Sequence, residues 1–378
     1  MDIFEKKSKI ALALIDGVGS YTFRKLLNKF GTANAVFKAT LKDLASVING
    51  KNNNHNIAKN IVEHSTMEQA HKIIEQIEKL NIETLFYGDE EYPTNLNHIH
   101  NPPSILYYAG QLKPLKEKKL ISIVGTRRPS DYINHILENI IEALKPHNIA
   151  IISGLAYGID ISAHLIALKN DIPTYAILPG GINKIYPNVH TRIAENMINS
   201  GGLITEYPPN VKPEKHCFPL RNRIIAGISD IAIVAEAGEK SGALITAEFA
   251  NQYNREVFAI PGNINSINAK GCNNLIKKHK AHMLTSTEDI EYIMNWQKAE
   301  QKLEANNNHI KLAKLAKGLS NAERTILDLL MNADSELHID EISNQTQADT
   351  GIVYNLVITL ETHNLIQICA GNKFKLKI

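Results

Sequence analysis

LISIVGTRRPSDYINHILENIIEALKPHNIAIISG, residues 120–154, decides the fold class. It opens with an apolar run at 120–124, the length of one strand and rich in β-branched residues. It then turns through VGTRRPS (124–130) into a segment where Ile133, Ile136, Leu137, Ile140, Ile141 and Leu144 recur at helical spacing. IAIIS (149–153) closes it as a second apolar run. Strands buried on both faces read as continuous apolar runs, and such runs joined through helices imply a parallel sheet covered on both sides. The alternation continues with PTYAIL (173–178), GLITE (202–206), DIAIVAE (230–236), EVFAIP (256–261) and AHMLT (281–285). The chain is therefore predicted to be α/β, with residues 79–297 forming an extended Rossmann-like, doubly wound, mostly parallel sheet.

The flanks have other patterns. Residues 1–78 read as a helical module: LALIDGVGSYTFRKLLNKFG has an apolar helix end, a turn at Gly17 and Gly19, and an amphipathic helix with Phe23, Leu26, Leu27 and Phe30 inside. Ile15-x-Gly17-Val18-Gly19 before a helix resembles a helix-hairpin-helix (SAM-like) unit, whose turn amides face a DNA phosphate. Gly17, Gly19 and Lys25 are its candidate contacts; a helical hairpin that touches nothing is the alternative. KNNNHN (51–56) reads as a polar loop. Residues 298–318 lack a steady apolar stripe and read as a linker. Residues 319–378 open on a capping-box pattern, Ser320-x-x-Glu323. Helical periods follow at 320–332, 338–346 and 349–363, then two β runs, LIQIC and KFKLKI, in the order of a winged helix.

Composition narrows the function classes. The chain has 378 residues, 44% hydrophobic and 21% charged, as in ordinary globular proteins. No apolar run is long enough to cross a membrane, and the N-terminus reads as folded protein rather than a signal peptide. Cys217, Cys272 and Cys369 are too scattered for a disulfide framework or a CxxC metal site, which suits a reducing cytoplasm. The net charge of +2 names no partner, but its distribution is uneven. Residues 1–78 are net +3, 79–297 net zero, 298–318 net +3 and 319–378 net −4. A nucleic-acid site in the middle segment must then be a local basic patch.

In an open parallel sheet, ligands bind beyond the carboxyl ends of the strands. Four strands here end in glycine-bearing turns that open helices: VGTRRPS (124–130), SGLAYGID (153–160), PGGINKIYP (179–187) and AEAGEKSGALITAE (235–248). Helix N-termini present unpaired amides and a partial positive charge, so a row of them makes a phosphate-binding edge. Basic residues decorate this edge: Arg127, Arg128, Lys184, Lys215, Arg221, Arg223 and Lys240. Phe218 among them can stack on a base or pack in the core, and Asn222 lies between the two arginines. The candidate backbone contacts are Ser153, Gly154, Gly158, Gly238, Ser241 and Gly242. Cations with an aromatic suit single-stranded DNA or a nucleotide.

Neither a full GxGxxG, a Walker A run, a nucleophile elbow nor HExxH occurs, and no cofactor or metal is expected. The fifteen histidines are scattered. Ser153, Asp160 and His164 share one segment but lack an evident oxyanion hole, and His164 reads as packing. One enzymatic alternative stays open. PGG at 179–181 and EAGEKSGALITAE at 236–248, with Glu248 as the acid, are similar to the PGGxGTxxE pattern of nucleotide-binding phosphoribohydrolases. A scaffold with an incidental basic edge is the other.

At these residues a family resemblance enters. TLFYGDEEYPTNLNHIHNPPSILYYAG, IVGTRRPSDY, ISGLAYGIDISAH, LPGGINKIYP, GGLITEYPP, FPLRNRIIAGISD, VAEAGEKSGALITAEFA and FAIPGNI run in the order of the DNA-processing protein A (DprA/Smf) family. The match covers about 81–285. The resemblance implies a non-enzymatic, cytoplasmic, single-stranded-DNA-binding recombination mediator of natural transformation, which dimerises through its core and loads the RecA recombinase onto incoming strands. It places DNA contacts at Arg127, Lys184, Lys215, Arg221 and Arg223, with backbone contacts at Ser153-Gly154, Gly158 and Ser241-Gly242. The C-terminal module departs from a groove-reading winged helix. Its third helix, DTGIVYNLVITLETHN, has no lysine or arginine to neutralise phosphate. It is expected to be a protein-contact or autoregulatory element.

Overall fold

In the computed structural model, residues 2–48, 54–296, 319–331, 333, 336–363, 365–369 and 371–376 are described. The chain divides into two compact units, Met1–Trp296 and Gln297–Ile378. The linker expected at 298–318 lies outside the described residues.

The larger unit is built on a nine-stranded sheet. Its strands are β1 (Glu83–Phe86), β2 (Ile105–Gly110), β3 (Lys119–Val124), β4 (Ile149–Ser153), β5 (Thr174–Ile177), β6 (Gly202–Thr205), β7 (Ile231–Val234), β8 (Glu256–Ala259) and β9 (His282–Met283). The order across the sheet is β1-β2-β6-β5-β4-β3-β7-β8-β9. Strands β3 to β9 pair in parallel, and β1 and β2 close one side antiparallel. The seven runs read from the sequence are the seven parallel strands. The antiparallel pair was not anticipated. Its β2, ILYYAG, is an apolar run much like the others, but it follows a proline-rich loop instead of a helical period, so nothing local marks its direction.

The helix Asp131–Leu144 illustrates how the sequence sets an element. Ser130 caps it, its side chain accepting from the Ile133 amide, and Asp131 in the first turn complements the helix dipole. Ile133, Leu137, Ile140, Ile141 and Leu144 form its buried face. Against them lie Ile121, Ile123, Ile149, Ile151, Ile231 and Ile233 from the sheet. Removing one such side chain would cost about 2–5 kcal/mol. The opposite face of the sheet is covered by Cys217–Ile228 and Ala243–Gln252.

The N-terminal helices share a core with the sheet. Ile10, Leu12, Phe23, Leu26, Val36 and Ile73 are continuous with Phe86, Tyr107, Leu178 and Leu203. The ammonium of Lys9 reinforces this joint, 3.4 Å from Asp89 and over the ring of Phe86. Of the polar loop expected at 51–56, residues 54–56 are helical, and 51–53 lie outside the described residues.

The smaller unit holds helices Asn321–Met331, Ile339–Thr346 and Thr350–Thr362 and a sheet of β10 (Leu337–His338), β11 (Ile366–Cys369) and β12 (Lys373–Leu376), ordered β10-β12-β11. The Ser320–Glu323 capping box forms: the Ser320 amide donates to Glu323 at 2.7 Å and the Glu323 amide to Ser320 Oγ at 3.4 Å. Ile326, Leu330, Ile342, Val353, Val357 and Phe374 make its own core.

Candidate nucleic-acid interface

A cleft of about 860 Å³ opens at the carboxyl edge of the sheet. Each of the four glycine turns contributes: Gly125, Thr126 and Arg127 after β3, Ala156 and Asp160 after β4, Tyr186 after β5, and Gly238 to Gly242 after β7. Lys215, Phe218, Arg221 and Asn222 complete it from the segment that opens the helix Cys217–Ile228.

The turns are stitched to one another. The Thr126 amide donates to Glu236 O at 2.7 Å, and the Ile159 amide donates to Thr126 O at 3.1 Å. This close approach explains two glycines. A Cβ on Gly158, whose φ is +78°, would lie 2.2 Å from Thr126 O, and one on Gly125 would lie 2.4 Å from Ile159. The edge is thus fixed in place before any ligand arrives. In the fourth turn the Ser241 hydroxyl accepts from the Ala243 amide at 3.3 Å, while the amides of Lys240 and Gly242 have no partner among the described residues.

The basic residues separate into two kinds. Arg127, Lys215 and Lys240 are exposed, line the cleft and make no ion pair among the described residues. Arg221 also lines it but is 3% exposed. Its Nη1 donates to Gly154 O at 2.7 Å and to Ile177 O, and its Nε donates to Asn222 Oδ1 at 3.1 Å. Burial holds its pKa down to about 10, opposed by the nearby Asp160 carboxylate and reinforced by Arg127. Arg221 thus braces the ends of β4 and β5 through Nη1 while its side chain still lines the cleft. Arg223 lies elsewhere. It is buried on the far side of the same helix, donating to Asn101 O and pairing with Glu206 at 2.5 Å, outside the cleft lining.

The second turn is likewise a structural brace. Ser153 is fully buried and donates to Ile123 O at 2.6 Å, and the Gly154 amide donates to Asp160 at 3.1 Å. Gly158 is needed for the turn's close packing. None of the three lines the cleft; Ser153 and Gly154 are buried, whereas Gly158 is half-buried. Asp160 is pushed up by burial, with Arg221 and the amides of Ala156 and Gly154 pulling it back. His164 is pushed down to about 3 by burial, and its Nδ1 lies 2.6 Å from Thr174 Oγ1. A neutral, enclosed imidazole held by Thr174 matches the packing role read from the sequence.

Arg128 is exposed on the first turn just outside the lining. Lys184 is exposed in the third turn and lines a separate cleft of about 380 Å³ with Asn183, Asn188 and Glu195. Gly238, Lys240, Ser241, Gly242, Asn222 and Phe218 all belong to the main cleft. Sequence reading missed Tyr186, whose ring meets Phe218 edge-on at 5.6 Å and 81°. The signal was the aromatic in INKIYP, two residues after Lys184. At the N-terminal hairpin, Gly17 has φ +85° and Gly19 begins the helix Ser20–Phe30 without a side-chain cap. Gly19 lies in a small cleft with Asn101, Glu206 and Arg223, and Lys25 sits over the Tyr21 ring at 5.2 Å.

Neither the PGG turn nor Glu248 of the phosphoribohydrolase alternative lines the main cleft. A Cβ on Gly181 would lie 2.1 Å from Pro209 O, so the PGG backbone is packed against the loop after β6. Glu248 is ion-paired with Lys280 at 2.8 Å and lies outside the cleft lining.

Residues 83–295 match the model of the family described as DNA recombination-mediator protein A. The chain is 36% identical to protein Smf of Synechocystis over 270 residues, 71% of this chain and 67% of that protein. Its structure is similar to that of DNA processing protein A from Streptococcus pneumoniae, with a TM-score of 0.68 and 32% identity over 79% of this chain and 99% of that one. It is also similar to DNA processing protein A from Helicobacter pylori, a structure described for its single-stranded DNA binding mode. There the TM-score is 0.52 and the identity 28%, covering 57% of this chain and 97% of that one.

Proposed function

Because the chain belongs to the DNA recombination-mediator protein A family, we propose that its main cleft binds single-stranded DNA and that the protein is a cytoplasmic recombination mediator without turnover. The observation that carries this reading is the set of three unpaired cations, Arg127, Lys215 and Lys240, facing one preformed cleft beside Phe218 and Tyr186. Cations and free amides meet the phosphates, and the two rings stack on bases, which is how proteins hold a single strand with little sequence preference. The Helicobacter relative's single-stranded DNA binding supports the same assignment.

Finer parts of the reading follow from the family resemblance. The protein loads RecA onto incoming strands during transformation and acts as a homodimer formed through the core. We take 1–78 as the helix-hairpin-helix module, 79–297 as the DNA-binding core, 298–318 as a linker and 319–378 as a winged helix. In the last of these, the order of helices and the closing hairpin β11–β12 supports the reading. Its helix Thr350–Thr362 carries no cation, which suits a protein contact better than a groove. The role of Gly17, Gly19 and Lys25 as a further phosphate contact belongs to the same proposal.

The test is an oligo-dT titration by fluorescence anisotropy over a salt series, repeated with duplex and with RecA. Three phosphate contacts on a single strand give a salt slope of about −2. Single strands should bind more tightly than duplex, and RecA should assemble faster on strands that the protein has occupied. Equal affinity for duplex, or binding indifferent to salt, would refute the DNA-binding reading; RecA assembly at an unchanged rate would refute the loading role.

A further inference from the structure

We propose that a second cleft, beside the first on the same edge of the sheet, receives one nucleobase carrying an exocyclic amino group, so that the strand is read there as well as held. This rests on the single-stranded DNA reading above.

The second cleft has a volume of about 480 Å³ and lies between the start of the helix after β3 and the loop after β8. Asn268 lines both clefts, so the two basins adjoin and one strand can occupy them in succession. Their chemistry differs. Among the described residues, four cations line the first cleft, whereas no lysine or arginine lines the second. A phosphate placed there would have no counter-charge and would face the Glu236 carboxylate.

A base fits where a phosphate does not. Ile133 and Ile260 supply apolar floor, and Tyr132, 67% exposed at the mouth, offers a ring for stacking. Glu236 is 8% exposed and fixed by Ser130, whose amide donates to Oε2 at 3.0 Å and whose hydroxyl donates to Oε1 at 3.1 Å. Each carboxylate oxygen keeps a further lone pair. Acidic side chains read bases by accepting from an amino group, as from N4 of cytosine. The Asn263 amide nitrogen and the Asn268 side chain can take the rest of a base edge. Thymine has no exocyclic amino group to offer Glu236.

The experiment compares oligo-dC with oligo-dT of equal length, by anisotropy on the full chain. The ratio of the two affinities is the readout. Oligo-dC should bind about fivefold tighter, the lower end of one base-edge contact. Glu236→Gln, which keeps an acceptor for Ser130, and Tyr132→Ala, at an exposed position, should each bring the ratio close to one, with circular dichroism confirming the fold. Equal wild-type affinities, or a preference for oligo-dC that survives both substitutions, would overturn the proposal. Failure to bind either oligonucleotide would overturn the DNA-binding reading itself, and this inference with it.

Discussion

The rim and the floor of the main cleft are both basic, yet their charges do opposite work. On the rim, Arg127, Lys215 and Lys240 stand in solvent with no ionic partner among the described residues. In the floor, Arg221 is enclosed, gives its donors to the carbonyls of Gly154 and Ile177, and has Asp160 as its buried counter-charge. A cation in water is cheap to keep and free to meet a phosphate. A buried one is tolerated only when hydrogen-bonded and compensated, and it then holds the structure in place. Equal charge on the two sides of the same cleft therefore leaves one set free for a ligand and makes the other part of the architecture.

Substitutions should separate the two. The largest effect is expected for Arg221→Ala. It removes the cation that offsets buried Asp160 and leaves two carbonyls without donors, at a cost of about 3–5 kcal/mol in unfolding free energy. Chemical denaturation with the midpoint unmoved would erase the distinction drawn above.

The floor should also respond to acid. His164 is pushed down from 6.5 to about 3, so the folded state refuses a proton that the unfolded chain accepts. Its contribution to stability is complete above pH 6.5 and is lost as the pH falls toward 3, by up to about 1.4 kcal/mol per unit. Asp160, raised by burial, works in the opposite sense, its cost appearing as pH rises through its folded pKa. Urea midpoints at pH 7.5 and 5, in wild type and His164→Gln, isolate the imidazole: the variant should show the flatter dependence.

On the rim, Arg127→Ala with Lys215→Ala should lower affinity for single strands by about tenfold or more and reduce the salt slope by roughly 1.4, with the unfolding midpoint unchanged. A stability loss like that of Arg221→Ala would mean that rim and floor do the same job. The smallest effect is expected at the acidic C-terminal module. Without residues 319–378, single-strand affinity should stay level or rise, and a tenfold loss would show that the module carries part of the DNA site.

How far the sequence could be read depends on the kind of signal. The seven parallel strands were legible because apolar runs and helical periods are local patterns. The turns were legible as the edge of a cleft because each ends a strand and opens a helix, but their glycines could not show whether they serve a ligand or, as Gly125 and Gly158 do, close packing. Within one helix, however, Arg221 and Arg223 look alike in sequence. In the structure they fall on different faces, one bracing the cleft floor and the other tied to Glu206. Tyr186 was overlooked for the converse reason: it is distant from Phe218 in sequence and becomes its neighbour only through the return of the chain after β6.

By itself, then, the chain's order of residues determined the alternating α/β core, the helical and acidic flanks, and the edge of the sheet where the cleft opens, since periodicity, capping and strand direction are short-range. Only the tertiary structure decided which cations are free, which amides are already spoken for, and that a cation-poor basin sits beside the basic one. Those are questions of burial and partnership, and they depend on groups far apart in sequence.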